Sequence, residues 1–207
     1  MTQLIDRRAL VASGLVLAAG PALAQTDSGL ARVAIKTPKG VITLDLNTGK
    51  APITAGNFLR YADQRRFDGT SFYRASRTKG APEFGIVQGG QRDPARLLKP
   101  IAHESTIKTG LSHKDGTISM ARRAPGTATA DFFICVGDQP GFDADPTGER
   151  DKYGFAAFGQ VVDGMDVVHA ILALPTSPSA GSGVMRGEML SPPLPILSVR
   201  RVIVKAV

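Results

Sequence analysis

Apolar and polar positions first alternate at Val33-Ala34-Ile35 and again from Val41 to Leu46, where Ile42, Leu44 and Leu46 share one face and Thr43 and Asp45 the other. A period of two marks a half-buried strand. Thr37-Pro38-Lys39-Gly40 between the two runs has the turn chemistry of a hairpin. The period then changes. Pro52 stands where a first-turn proline is tolerated, and Phe58, Leu59 and Ala62 recur at helical spacing, which predicts an amphipathic helix to about Arg65. From Phe67 to Gly159, short apolar runs are separated by Gly, Pro and Asp, the pattern of antiparallel β-structure. Asp163-Gly164-Met165 opens a second helix, with Asp163 as its N-cap, Met165, Val168 and Leu172 on one face and Pro175 as its stop. Thr176 to Pro195 is rich in Pro, Ser and Gly and reads as a long surface loop, and Ile196 to Val204 as a last strand. A barrel and a β-sandwich both fit this series.

Two strand-like runs stand at the centre of the pattern. Thr117 to Ala121 and Asp131 to Cys135 are joined by Arg122 to Ala130, a loop of small residues and turn formers. Adjacent strand residues point to opposite faces, so Phe132 and Phe133 must part. If Phe132 and Ile134 fill an interior, Phe133 lies outside it with Cys135, as the floor of a shallow apolar pocket. The strand alone leaves a second reading open, in which both rings are buried between two packed layers.

The first residues change the picture of the whole chain. Arg7-Arg8 precede an apolar run from Ala9 to Ala19, then Gly20-Pro21 and Ala22-Leu23-Ala24. A charged start, a short apolar centre and an A-x-A end make a secretory signal peptide. The run falls short of the roughly 20 apolar residues that span a bilayer. The paired arginines resemble a twin-arginine signal, with Asp6 where Ser or Thr is more usual. Residues 1–24 are therefore expected to be a leader cleaved after Ala24, and residues 25–207 a single domain delivered to the bacterial periplasm, without stable membrane association once the leader is gone. The one cysteine, Cys135, excludes an internal disulfide and reads as a small packing residue. The formal charge of +7 falls to +6 without Arg7, Arg8 and Asp6. Its basic residues are scattered rather than gathered on one face, so nucleic acid is not an expected partner.

Phe72-Tyr73-Arg74, Gln88-Gly89-Gly90, Ser119-Met120-Ala121 and Phe132-Phe133-Ile134, taken together and in order, resemble the cyclophilins, a family of peptidyl-prolyl cis–trans isomerases. Ala51-Pro52-Ile53-Thr54 with Asn57-Phe58 is similar to the family's first helix, and Phe155 to Val161 with Gly164-Met165 to its strand leading into the second. The resemblance runs over nearly all of residues 33–204. It implies a mainly β fold, a closed antiparallel eight-stranded barrel capped by two α-helices. It also implies rotation about Xaa-Pro bonds in proline-containing polypeptides, by a monomer with no cofactor and no metal.

By that resemblance Arg74 is the catalytic residue, donating to the prolyl nitrogen as it pyramidalises. Read from residues alone, Arg74 is a strand arginine salt-bridged to Glu83 or Asp131. Phe133 matches the floor of the proline pocket, Gln88 a residue that orients the substrate backbone, and Ala121 a small residue beside the position before the proline. Phe142 falls where many members carry Trp, which keeps an aromatic wall without the indole donor and implies weak cyclosporin binding. Other positions depart from the family. The interval from Arg74 to Gln88 is longer than usual, and the region Ala75 to Pro82 is expected to loop out beside the site. Gly85 and Ile86 replace Phe and Met, with Phe84 the candidate to fill the gap. Arg122 replaces Asn, Asp131 replaces Gln, and Phe155 replaces the pocket His. Two expectations follow: Asp131 pairs with Arg74, and Arg122 at the rim favours an acidic residue before the proline.

Other chemistries find less support. Asp138, Asp143, Asp145, Glu149 and Asp151 crowd one loop, but an EF-hand register starting at Asp143 places Gly154 where a bidentate Glu is required. That loop reads as solvated. His103, His113 and His169 lack metal-ligand spacing. The rival reading is a cyclophilin-like module that binds proline-containing segments without catalysis.

Overall fold

The computed structural model describes residues 29–202; the expected leader and the end of the expected last strand, with Val204, lie outside them. The first hairpin forms as its alternation requires. β1 (Leu30–Thr37) and β2 (Gly40–Asn47) pair antiparallel in unbroken register from Leu30↔Asn47 to Thr37↔Gly40. Ile42, Leu44 and Leu46 are wholly buried, and Thr43 and Asp45 only partly.

Helix α1 (Pro52–Asp63) buries Phe58, Leu59 and Ala62 as its spacing predicts. Its N-cap residue, Ala51, supplies no side-chain cap. The buried carboxylate of Glu104 does so instead, accepting from the Thr54 amide at 2.8 Å, the Thr54 hydroxyl at 2.7 Å and the Ile53 amide at 3.3 Å. First-turn amides are the donors a helix cannot satisfy itself, and they favour a negative charge.

The remaining strands are β3 (Thr70–Thr78), β4 (Ala81–Gly90), β5 (Thr117–Met120), β6 (Phe132–Val136), β7 (Ala156–Asp163), β8 (Thr176–Ser177), β9 (Met189–Ile196) and β10 (Ser198–Arg201). Together they form one antiparallel ladder in the order β10-β1-β2-β7-β5-β6-β4-β3-β9-β8. The expected closed eight-stranded barrel is thus corrected to an open half-barrel of ten strands among the described residues, with β10 and β8 as its ends. The expected two helices become three among the described residues, with the single-turn α2 (Thr106–Thr109) between α1 and α3 (Met165–Leu172). Phe58, Phe67, Phe72, Phe132 and Phe158 fill the core with the apolar faces of β1 and β2.

Three local readings change. The stretch from Ala75 to Pro82 is no loop: β3 and β4 continue as a hairpin whose tip is Lys79-Gly80, with Thr78 paired to Ala81. Gly85 is required there, because a Cβ on it would lie 2.0 Å from the Ser76 carbonyl oxygen. Asp163 does not cap α3; it ends β7, and Gly164 occupies the N-cap at φ +88°. The expected loop from Thr176 to Pro195 contains β8 and most of β9, whose Leu190, Leu194 and Ile196 are buried while Pro192, Pro193 and Pro195 stay exposed.

Candidate active site

β6 divides its aromatic residues. Phe132, Ile134 and Val136 join the main core, whereas Phe133 and Cys135 form a second, separate apolar cluster with Ile86 of β4. Gln88 and Ile86 pair with Phe133 and Cys135 across β4 and β6, so the four line one outer patch of the sheet. Phe142 and Phe155 pack edge-on against Phe133 at 5.3 and 5.4 Å and against each other at 5.5 Å. The Phe155 amide donates to the Phe142 carbonyl at 2.8 Å, which ties the two walls together. Ala121 completes the cluster at the end of β5, its amide donating to the Asp131 carbonyl at 2.9 Å.

Beneath Phe133 lies a group that sequence spacing did not single out. The His113 ring stacks on Phe133 at 5.9 Å and 14° and meets Phe142 edge-on. Its Nδ1 is 2.6 Å from Asp143 Oδ1 and its Nε2 2.9 Å from the Ser119 hydroxyl. With the imidazole fully buried, this is a support for the aromatic floor rather than a nucleophile open to a substrate.

Above the floor runs an open groove of about 740 Å³, with Phe133, Ile86 and Gln88 in its lining. Arg74 reaches it from β3 and is held on two sides. Nε donates to Glu188 Oε2 at 2.7 Å, and Nη2 lies 2.7 Å from the same oxygen. Nη1 donates to Gln88 Oε1 at 2.8 Å. Glu188 is itself fixed: the Ser76 hydroxyl donates to its Oε1 at 2.7 Å, and its backbone carbonyl accepts from the Ala75 amide. Each terminal nitrogen of the guanidinium carries a second N–H, with no further partner among the described residues. A shallow aromatic pocket with a rigid, partly engaged arginine at its edge suits a flat apolar ring next to a carbonyl.

The family model of the cyclophilin type peptidyl-prolyl cis-trans isomerase/CLD matches residues 32–199. The chain belongs to this family. It is 36% identical over 202 residues to a peptidyl-prolyl cis-trans isomerase of Acinetobacter baylyi, covering 95% of this chain and 96% of that one. It is 37% identical to peptidyl-prolyl cis-trans isomerase A of Dickeya dadantii over 83% of this chain and 87% of the relative. A crystal structure of a cyclophilin type isomerase from Cryptosporidium parvum shares the fold, with a TM-score of 0.63 at 19% identity over 84% of this chain and 99% of that one.

In this cyclophilin all nine of the expected site residues line the one groove: Arg74, Gln88 and Ile86 along β3 and β4, Phe133 and Asp131 around β6, and Ala121, Arg122, Phe142 and Phe155 from the segments flanking β5, β6 and β7. Their partners differ from expectation. Arg74 pairs with neither Asp131 nor Glu83 but with Glu188, which lies 114 positions along the chain in a stretch read as loop. Asp131 accepts instead from the Tyr73 hydroxyl at 2.9 Å. Burial pushes its carboxyl above the usual carboxylate range, against the pull of the Tyr73 bond and the Arg92 charge. Arg122 is not an unpaired rim cation. Its side chain is 5% exposed, pairs with Asp151 at 2.6 Å, donates to the Gly154 carbonyl and lies over the Phe155 ring. Its charge is already matched, so the expected preference for an acidic residue before the proline loses its basis. Phe84 does not fill the gap left by Gly85. It is 45% exposed and rests on Gly137, outside the groove.

Four of the five crowded acids are likewise spoken for. Asp138 pairs with Lys114, Asp143 with His113, Asp145 with Arg150, and Asp151 with Arg122. Among the described residues no group of three or more His, Cys, Asp or Glu is arranged to hold a metal ion. One bank of the groove escaped the sequence reading altogether. Val184, Met185, Glu188 and Met189 come from the turn before β9 and from its first residue, and they face the groove next to Arg74.

Proposed function

We propose that this peptidyl-prolyl isomerase binds the proline ring of an extended polypeptide on Phe133, between Ile86 and the Phe142–Phe155 wall, and drives rotation with Arg74. The barrier to be lowered, roughly 18–20 kcal/mol, comes from conjugation of the amide nitrogen with its carbonyl. Uncatalysed, the rotation takes tens to hundreds of seconds. No bond is made or broken, so the chemistry calls for neither a nucleophile nor a cofactor. An N–H aimed at the prolyl nitrogen becomes a good hydrogen bond only as the lone pair leaves conjugation. It therefore stabilises the transition state more than the ground state, which is the requirement for acceleration.

The observation that carries this reading is the state of Arg74. Glu188 and Gln88 take its inner donors and fix its plane, and the second N–H of each terminal nitrogen is left for a ligand. The substrates are proline-containing segments of polypeptides, the protein acts as a monomer, and neither nucleic acid nor membrane is a partner. We further propose a periplasmic location and exported proteins as substrates, a reading supported by the signal-like pattern from Arg7-Arg8 to Ala24; N-terminal sequencing of the protein from fractionated cells should give Gln25 as the first residue. No helix among the described residues is long and apolar enough to cross a membrane.

Exchange NMR on a short Ala-Pro peptide tests the chemistry. The protein from Gln25 onward is expected to bring cis–trans exchange into the observable range, and Arg74→Ala to abolish it with the peptide still bound. Peptide binding without faster exchange in the wild type would assign the groove to a binder of proline segments, in which Glu188 has neutralised the arginine.

A further inference from the structure

The hydrogen bonds that start at Arg74 do not stop at Gln88. Gln88 Nε2 donates to the Tyr73 hydroxyl oxygen at 2.7 Å, and that hydroxyl donates to Asp131 Oδ2 at 2.9 Å. The direction of this chain is forced from one end. Arginine has donors only, so Gln88 must turn its oxygen toward it. The Gln88 NH₂ then faces Tyr73, whose oxygen must accept and whose proton must go elsewhere. Asp131 is the acceptor it finds. Tyr73 and Gln88 are 5% and 7% exposed, so solvent has little access to replace either link.

Tyr73 reaches the groove because of an irregularity in β3. Phe72 pairs with Gly89 and Arg74 with Gln88, which makes Tyr73 the extra residue of a β-bulge. In a regular strand, positions 73 and 74 would face opposite sides of the sheet. The far end of the chain is built to match. The Arg92 guanidinium sits 4.6 Å from the centre of the Tyr73 ring. Gly90, at φ +143°, leaves room for the carboxylate, since a Cβ there would lie 2.7 Å from Asp131 Oδ1. That Oδ1 is buried without a hydrogen-bond partner among the described residues. A carboxylate with one oxygen buried and unsatisfied costs stability, so its bond to Tyr73 is the feature that gives it a use.

We propose that Tyr73 is a positioning residue of this isomerase: with Asp131 as its acceptor it locks the Gln88 amide, and through Gln88 it fixes the edge of Arg74 that meets the substrate. The proposal rests on the assignment of Arg74 as the catalytic residue. Its consequence is that Tyr73 contributes to turnover only while Gln88 is present.

Tyr73→Phe, Gln88→Ala and the double variant, each confirmed as folded by thermal unfolding, test this with the Ala-Pro exchange measurement. Tyr73→Phe is expected to lower kcat about fivefold, the effect of one ordinary hydrogen bond, with KM changed by less than about twofold. The double variant is expected to be no slower than Gln88→Ala alone, because the second loss acts through the first. Losses that multiply, or a Tyr73→Phe rate equal to wild type, overturn the proposal. Asp131→Asn keeps an acceptor for the Tyr73 hydroxyl and Asp131→Leu does not, so Asn should retain the faster turnover; the reverse order also overturns it. A second measurement separates the relay from the catalytic assignment. In ¹⁵N spectra, Tyr73→Phe should speed solvent exchange of the Gln88 side-chain amide while the Arg74 Nε–H, bonded to Glu188, is retained. Unchanged Gln88 exchange in an active enzyme overturns the relay alone. A wild type that does not isomerise overturns the role of Arg74, whatever Gln88 does.

Discussion

Arg74 meets Glu188 through two of its nitrogens, and this pair decides how the arginine presents itself. With side-chain exposures of 15% and 25%, the pair is well shielded from solvent. Glu188 orients the guanidinium and also offsets its charge, and these effects act on turnover in opposite directions. Orientation should dominate, because an unanchored arginine samples rotamers in which no N–H faces the prolyl nitrogen. Glu188→Ala is therefore expected to reduce kcat roughly tenfold with little change in peptide affinity, since small misplacements of a catalytic group are costly. Glu188→Gln keeps an oxygen for Nε and should retain more of the rate than Ala. A faster Glu188→Ala enzyme would show that the carboxylate restrains the arginine more than it helps it. The sequence could not disclose this partner, because 114 residues and a stretch of loop-like composition separate the two. Tyr73 was hidden differently: strict alternation sends it away from Arg74, and the bulge that brings it back has no mark in the sequence.

Elements with a clean hydrophobic period were legible. The β1–β2 hairpin, α1 and the parting of Phe132 from Phe133 all follow from periods of two or 3.6 in unbroken apolar runs. β9 was not legible, because Pro192, Pro193 and Pro195, all exposed, interrupt the run and mask the buried positions Leu190, Leu194 and Ile196. Proline is tolerated where its missing N–H has no ladder to serve. Nor could local signals show how α1 begins, since its cap comes from Glu104, 50 residues away from Thr54. Glu104 is 2% exposed and accepts three hydrogen bonds from the first turn, so removing it leaves buried donors unpaired. Glu104→Ala is expected to cost about 1.5–3 kcal/mol, the range for a hydrogen bond to a charged group. Urea unfolding at neutral pH measures it; a loss below about 1 kcal/mol, a typical exposed-cap value, would mean that water takes over the cap.

Across the whole molecule, a buried histidine and a half-buried carboxylate near the groove give stability opposite dependences on pH. The His113 pKa is lowered chiefly by burial, against the pull of Asp143. The 2.6 Å contact with Asp143 would suit an imidazolium, but full burial against Phe133 and a hydroxyl at Nε2 favour the neutral ring. The unfolded chain binds this proton more tightly, so the contribution of His113 is whole above about pH 6.5, the unfolded value, and is lost as pH falls through the lower folded value. Asp131 runs the other way. Its folded pKa is raised, again chiefly by burial, so its contribution is whole below about pH 3.9 and is lost as pH rises through the folded value. Farther from the groove, Asp63 and Asp68 are held below the ordinary carboxylate range by their hydrogen bonds to Arg201 and Arg200, ties of β10 whose contribution persists until more acid pH. Between neutrality and mild acid, then, His113 should set the decline in stability and Asp131 should oppose it. Urea midpoints from pH 7.5 down to pH 4 separate the two. His113→Asn is expected to flatten the decline. Asp131→Asn is expected to be more stable than wild type near pH 7, with an advantage that shrinks as pH falls. A His113→Asn profile as steep as wild type would mean that the folded ring is already charged by Asp143, and the support beneath Phe133 would then be an ion pair rather than a neutral hydrogen-bonded stack.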